Sequence, residues 1–149
     1  NFLKNGLKNT TILDLFSGVG SFGLEAISRG SKKVLFFENY KPTINLLEKN
    51  IKNLSFNKEA KVINKDLYKN RIFENLNLNF DIVFIDPPFK DENINSLLDN
   101  IASSGIIKSK TLIILHRKKT KVKNFSKKFI IERKELYGSS KIIFGYISF

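Results

Sequence analysis

Short apolar runs alternate along this chain with stretches whose apolar residues recur at helical spacing. Thr11-Ile12-Leu13-Asp14-Leu15-Phe16 predicts a first strand. Ser21 to Arg29 predicts a helix, with Phe22, Leu24, Ala26 and Ile27 apolar, Ser21 as its cap and Gly30 as its stop. Lys33 to Glu38 predicts a second strand. Pro42 then opens a helix carrying Ile44, Leu47, Ile51 and Leu54 on one side. Lys61 to Asp66 is a shorter third strand, Asp81 to Asp86 a fourth and Thr111 to Leu115 a fifth. A helix marked by Ile94, Leu97, Leu98 and Ile101 separates the last two. Such alternation implies parallel strands with right-handed crossovers and helices on both faces. The pattern then changes. Phe129 to Leu136 and Lys141 to Phe149 are β-rich, and Tyr137-Gly138-Ser139-Ser140 between them predicts an antiparallel hairpin. Five parallel strands followed by a hairpin is an unusual order among doubly wound α/β folds.

Composition narrows this picture. The 149 residues, 42% hydrophobic, fit one globular domain over 1–149. Repeats, linkers and low-complexity segments are absent from the sequence. No apolar run approaches the roughly 18–20 residues of a membrane span. Without Cys there are no disulfides, thiolate nucleophiles or Cys-based metal sites, and a single His adds little, so no metal is expected. Cysteine-free composition suits a cytoplasmic protein. Met is absent even at position 1, so residues are expected before Asn1. The net charge of +12 is uneven: residues 106–149 hold 12 Lys and Arg against 2 Asp and Glu. AT-rich coding would raise lysine but would not remove acids locally. A polyanionic partner explains both.

Chemistry concentrates at strand ends. Asp86-Pro87-Pro88-Phe89 follows the apolar Ile82-Val83-Phe84-Ile85. Two prolines end a strand and fix its backbone. They leave a carboxylate, carbonyl acceptors and an aromatic ring at the edge where open α/β sheets bind ligands. Acceptors beside a flat ring suit a planar base with an exocyclic amine; a strand-ending turn with a solvated Asp is the plainer alternative. Earlier, Gly18-x-Gly20-x-x-Gly23 lies between a strand and a helix, and Glu38 ends the next strand 20 residues after Gly18. Glycines let a ligand approach the backbone, and an acid at Glu38 would accept from two ribose hydroxyls. Asp14 precedes the glycines. A carboxylate there would repel a pyrophosphate but welcome a sulfonium and an α-amino group. Asp66 ends the third strand, within reach of an adenine amine. Turn or cap duty would equally explain Asp14 and Asp66.

Asp14-Leu-Phe-Ser-Gly-Val-Gly-Ser-Phe-Gly-Leu-Glu-Ala-Ile-Ser-Arg-Gly30, with Glu38, Asp66 and Asp86-Pro-Pro-Phe89 behind it, resembles the RsmD-type methyltransferases in register from about Thr11 to the C-terminal strands. The Gly-Leu-Glu-Ala-Ile-Ser-Arg-Gly extension is the most specific part, and Tyr137-Gly138 also fits. The resemblance implies a class I, Rossmann-like methyltransferase fold, with a mostly parallel seven-stranded sheet ending in an antiparallel hairpin. It implies S-adenosylmethionine as cofactor, S-adenosylhomocysteine as product and no metal. Asp14, Phe16, Gly18, Gly20, Gly23, Glu38, Asn39, Asp66 and Leu67 would hold the cofactor. Asp86, Pro87, Pro88 and Phe89 would hold the acceptor, the N2 amine of a guanine in 16S ribosomal RNA, within the 30S subunit or an assembly intermediate. A cytoplasmic monomer is implied. Family members also carry a basic N-terminal segment implicated in RNA contact; without it, the chain is expected to bind cofactor but RNA poorly.

In such a reaction Asp86 and a proline-region carbonyl would orient the amine lone pair, and Phe89 would stack on the base. Lys118, Lys119, Lys121 and Lys123 would hold phosphates. His116, expected just after the fifth strand, is better explained as a polar strand-end residue or phosphate contact than as a catalyst. Two alternatives remain. One is an amino-methyltransferase acting on adenine or cytosine of DNA, for whose separate recognition region the chain has no room. The other is a non-catalytic nucleic-acid-binding domain.

Overall fold

The computed structural model describes residues 6–119 and 124–149, which divide into two compact units meeting in sequence at Leu67 and Tyr68. The class is α/β, with seven strands among the described residues. In the first unit these are β1 (Thr11–Leu15), β2 (Lys33–Glu38) and β3 (Ala60–Asn64), with helices α1 (Ser21–Ser28) and α2 (Lys41–Asn53) between them. β2 pairs in parallel with β1 on one side and β3 on the other. Ile12, Leu13, Leu15 and the run Val34 to Phe37 are buried on both faces of their strands, as near-continuous apolar runs in a parallel sheet must be. Leu24, Ala26 and Ile27 of α1 and Ile44, Leu47 and Ile51 of α2 complete this core.

The ends of these elements differ from expectation in informative ways. Gly20, not Ser21, is the N-cap of α1, and it contributes no side-chain cap. The C-terminus stops as predicted at Gly30 (φ +101): Gly30 N–H donates to Ile27 O at 3.0 Å and Ser31 N–H to Ala26 O at 3.0 Å, a Schellman closure. Leu54 is the C-cap of α2 and is exposed, because the helix ends before its side chain completes the apolar stripe. β3 ends at Asn64, opposite Glu38, since β2 offers no partner beyond that pair; Asp66 therefore lies past the strand.

The second unit holds β4 (Ile82–Ile85), α3 (Ile94–Ser103), β5 (Leu112–Lys118), β6 (Phe129–Tyr137) and β7 (Ser140–Ile147). β4 pairs in parallel with β5, β7 pairs antiparallel with β5, and β6 pairs antiparallel with β7. β5 runs three residues past its expected end. Its register with β4 stops at Ile85↔Leu115, but β7 continues to pair with His116, Arg117 and Lys118. His116 is thus a strand residue. The hairpin turn is only Gly138-Ser139, with Gly138 at φ +54 and no positive φ at Ser139, the arrangement of a type II′ turn. A bulge falls between Ile131 and Arg133. Lys121 and Lys123 lie outside the described residues. Among those described, no helix is long and apolar enough to cross a membrane.

Candidate functional site

Within the first unit, three parallel strands direct their carboxyl ends to one edge, and the predicted cofactor residues collect there. The loop leaving β1 turns sharply: Phe16 (φ +58), Gly18 (φ +56) and Gly20 (φ +90) are all left-handed. For a bulky residue such as Phe16 this conformation is an outlier of the kind that clusters in ligand loops. Ser17 pins the loop to the end of β2. Its N–H donates to Phe37 O at 3.0 Å and its Oγ to the same oxygen at 3.2 Å. The glycine loop is thereby held beside the half-buried Glu38 and the exposed Asn39. Asp66 is half-buried, and Leu67 is buried.

The three glycines do different work. An ideal Cβ on Gly18 would meet nothing within 4 Å, so the backbone there is open to a ligand. On Gly20 it would lie 2.4 Å from Leu47 Cδ1, and on Gly23 2.3 Å from Phe36 Cε1; these two let the helices pack closely. Asp14 is 1% exposed, and its Oδ2 accepts from Gly23 N–H at 3.1 Å. A strand carboxylate thus satisfies an N–H of the first turn of α1, which the glycine cap cannot, and places negative charge at the positive end of the helix. The carboxylate acceptors of Asp14, Glu38 and Asp66, with open backbone at Gly18, fit a cofactor bearing ribose hydroxyls and a cationic centre.

The second unit carries Asp86-Pro87-Pro88-Phe89 directly after β4. Pro87 is buried, whereas Pro88 and Phe89 are exposed. The Asp86 side chain is 42% accessible, and its Oδ1 is 2.8 Å from His116 Nδ1. Phe89 meets the same imidazole edge-on, with centroids 5.8 Å apart and planes at 78°. The loop is fixed further on: Asp91 N–H donates to Pro88 O at 2.9 Å, and Asn93 N–H to Asp91 Oδ1 at 2.6 Å. Tyr68 OH donates to Asp91 Oδ2, and the buried Arg117 donates through Nη2 to Asp91 O at 2.9 Å. Sequence reasoning did not single out Tyr68, Asp91 or Arg117, nor the contact of His116 with Asp86, since no local pattern joins β5 to the proline loop. The register did hold a signal, because His116 follows Leu115 as Asp86 follows Ile85. A cavity of about 450 Å³ in this unit, bounded by Asn70 to Glu74 and the end of α3, includes none of the predicted site residues. No group of three or more His, Cys, Asp or Glu among the described residues is placed to hold a metal ion.

The chain matches the family described as conserved hypothetical protein 95 over residues 1–146. It is 34% identical over 122 residues to ribosomal RNA small subunit methyltransferase D of Haemophilus influenzae, covering 81% of this chain and 63% of that protein. A candidate rRNA methyltransferase of Bacillus subtilis is 29% identical over 128 residues, covering 85% of this chain and 70% of that one. The chain thus spans about two thirds of the length of these relatives. The crystal structure of a candidate methylase from Haemophilus influenzae superposes with a TM-score of 0.83 at 28% identity, over 99% of this chain and 93% of the other.

Proposed function

The chain belongs to the conserved hypothetical protein 95 family, that of the RsmD-type methyltransferases, and from that premise we propose that it methylates a base amine of small-subunit ribosomal RNA, the N2 amine of a guanine, using S-adenosylmethionine. The observation that carries this proposal is Asp86-Pro87-Pro88-Phe89 at the carboxyl end of β4, with a solvent-accessible carboxylate and an exposed ring. Relatives named for rRNA methylation support the substrate class.

When bound, the cofactor supplies an electrophilic methyl group on a sulfonium. Glu38 would accept from the ribose hydroxyls, and Asp66 from the adenine amine, with Phe16, Asn39 and Leu67 beside them. The open backbone at Gly18 would take the amino-acid portion beside Gly20 and Gly23, with Asp14 supplying negative charge behind it. In the second unit, Asp86 would accept an N–H of the substrate amine, and a carbonyl of Pro87 or Pro88 the other. Conjugation with the purine makes that amine a weak nucleophile, so placing its lone pair is the main task of the protein. Phe89 would stack on the base, which must first leave its own stack. The methylated amine is cationic and sheds its proton readily, so no strong base is needed. Acceptors held in place before reaction would supply most of the rate.

The test is transfer of tritiated methyl groups to unmodified 30S particles, free 16S rRNA and DNA, followed by nucleoside identification. N2-methylguanosine in the RNA is expected. Label in adenine or cytosine of DNA would replace the proposal with the DNA enzyme. No transfer to any substrate, despite calorimetric cofactor binding, would favour a binding domain.

A further inference from the structure

We infer that His116 is a positioning residue for Asp86, fixing which carboxylate oxygen faces the substrate amine. The inference rests on the proposed role of Asp86. A carboxylate at a strand end can turn about its terminal torsion, a broad two-fold well that leaves either oxygen facing a ligand. His116 removes that freedom. An ionised carboxylate only accepts, so the 2.8 Å contact places a hydrogen on Nδ1 and commits Oδ1 to the imidazole. Oδ2 is left for the amine. The imidazole is itself constrained: its backbone is paired with Ile142 of β7, and its ring lies against Phe89. One side chain therefore touches both the acceptor carboxylate and the ring proposed to hold the base plane. At 23% exposure it is too enclosed to serve chiefly as a phosphate contact. No such link is needed for the fold, because β5 is secured here by its backbone pairing with β7.

Three substitutions separate hydrogen bond from ring. His116→Asn presents an amide N–H close to the Nδ1 position without the ring. His116→Phe keeps the edge contact without the donor, and His116→Ala removes both. Methyl transfer would be measured at saturating cofactor across RNA concentrations, with cofactor affinity by calorimetry and thermal unfolding to establish folding. For His116→Ala and His116→Phe, kcat is expected to fall roughly 10- to 100-fold, the scale of a misplaced reacting group. KM for RNA and cofactor affinity should stay near wild type, and His116→Asn should recover most of the lost kcat. A fall in His116→Asn as deep as in His116→Ala, with His116→Phe active, would overturn the inference in favour of ring packing. A raised KM with unchanged kcat would overturn it in favour of RNA contact. If His116→Ala fails to fold, the contrast between the Asn and Phe variants still decides. Asp86→Ala, measured alongside, separates the two levels. Loss of activity there with an unaffected His116→Ala overturns only this inference, whereas full activity in Asp86→Ala overturns the proposed function beneath it.

Discussion

At Gly23 a methyl group has nowhere to go. A Cβ would sit 2.3 Å from Phe36 Cε1 and 2.9 Å from Asp14 Oδ2, and both neighbours belong to strands with no slack. Gly23→Ala is therefore expected to destabilise the chain by roughly 1–3 kcal/mol, the usual range for overpacking, read as a lower urea midpoint at unchanged slope. Gly18→Ala meets no atom within 4 Å and strains only a backbone at φ +56, so its cost should be near 1 kcal/mol. The same urea series ranks the two, and the reverse order would show that loop strain outweighs packing. The glycine pattern announced a loop, but which glycine stays open and which packs the core depends on Phe36 and Leu47, neither of which the motif contains. Asp14 caps α1 by accepting from Gly23 N–H, and the proposed function gives its charge a second duty beside the cofactor. Asp14→Asn keeps an oxygen for Gly23 N–H but discards the charge. If the charge serves a cationic cofactor, the variant should keep its thermal midpoint and lose cofactor affinity roughly 10-fold, about 1.4 kcal/mol. Equal affinity would leave Asp14 as a helix cap alone.

Among the elements, β5 shows most clearly what the sequence could and could not disclose. The apolar Thr111 to Leu115 stretch was legible as a strand because both faces are buried. His116-Arg117-Lys118 was not, because its strand conformation comes from pairing with a hairpin about 25 residues further on. The same pairing builds an electrostatic feature invisible in one dimension. Arg117 and Lys141 are register partners, and Lys134 stands diagonally across the hairpin from Lys141. Desolvation first, and then Lys134 and Arg117, hold the Lys141 pKa below its ordinary 10.5. For a lysine so shifted the charged form is the disfavoured one in the folded state. The cost is fully present at neutral pH and is relieved as pH rises through the lowered pKa towards 10.5. Lys141→Gln should accordingly raise the thermal midpoint slightly at pH 7, with a smaller gain near pH 10 and in high salt. An unchanged or lowered midpoint at pH 7 would mean that the row of like charges is already compensated. Arg117 reaches past this row to the Asp91 carbonyl at 2.9 Å. Arg117→Met would leave that buried acceptor without its donor, an expected loss of roughly 1–3 kcal/mol in urea titration.

Over the whole molecule, positive charge is the property that sequence disclosed in amount but not in arrangement. Residues 106–149 carry a net +10 of the total +12, all within the second unit. Arg117, Lys141 and Lys134 form a row across β5, β7 and β6, and under the proposed function that row would meet RNA phosphates. RNA contact through this row has a particular salt dependence. Each phosphate neutralised contributes about −0.7 to the log–log slope of affinity against salt for single strands and about −0.9 for duplexes. Replacing both Lys134 and Lys141 with Gln should thus make the slope shallower by roughly 1.4–1.8 if each meets a phosphate. Binding should weaken at low salt by a similar factor on any RNA sequence, because phosphates carry no base identity. Lys49→Gln, on an exposed position of α2 in the first unit, removes the same kind of charge elsewhere and should leave the slope unaltered. Filter binding over a salt series on 16S rRNA fragments reads both numbers. If Lys49→Gln flattens the slope as much as one hairpin lysine does, net charge alone governs binding and the row across β5, β7 and β6 has no special part. If only the hairpin variants flatten it while Lys141→Gln raises the thermal midpoint, the stability cost and the RNA affinity arise from the same hairpin lysines.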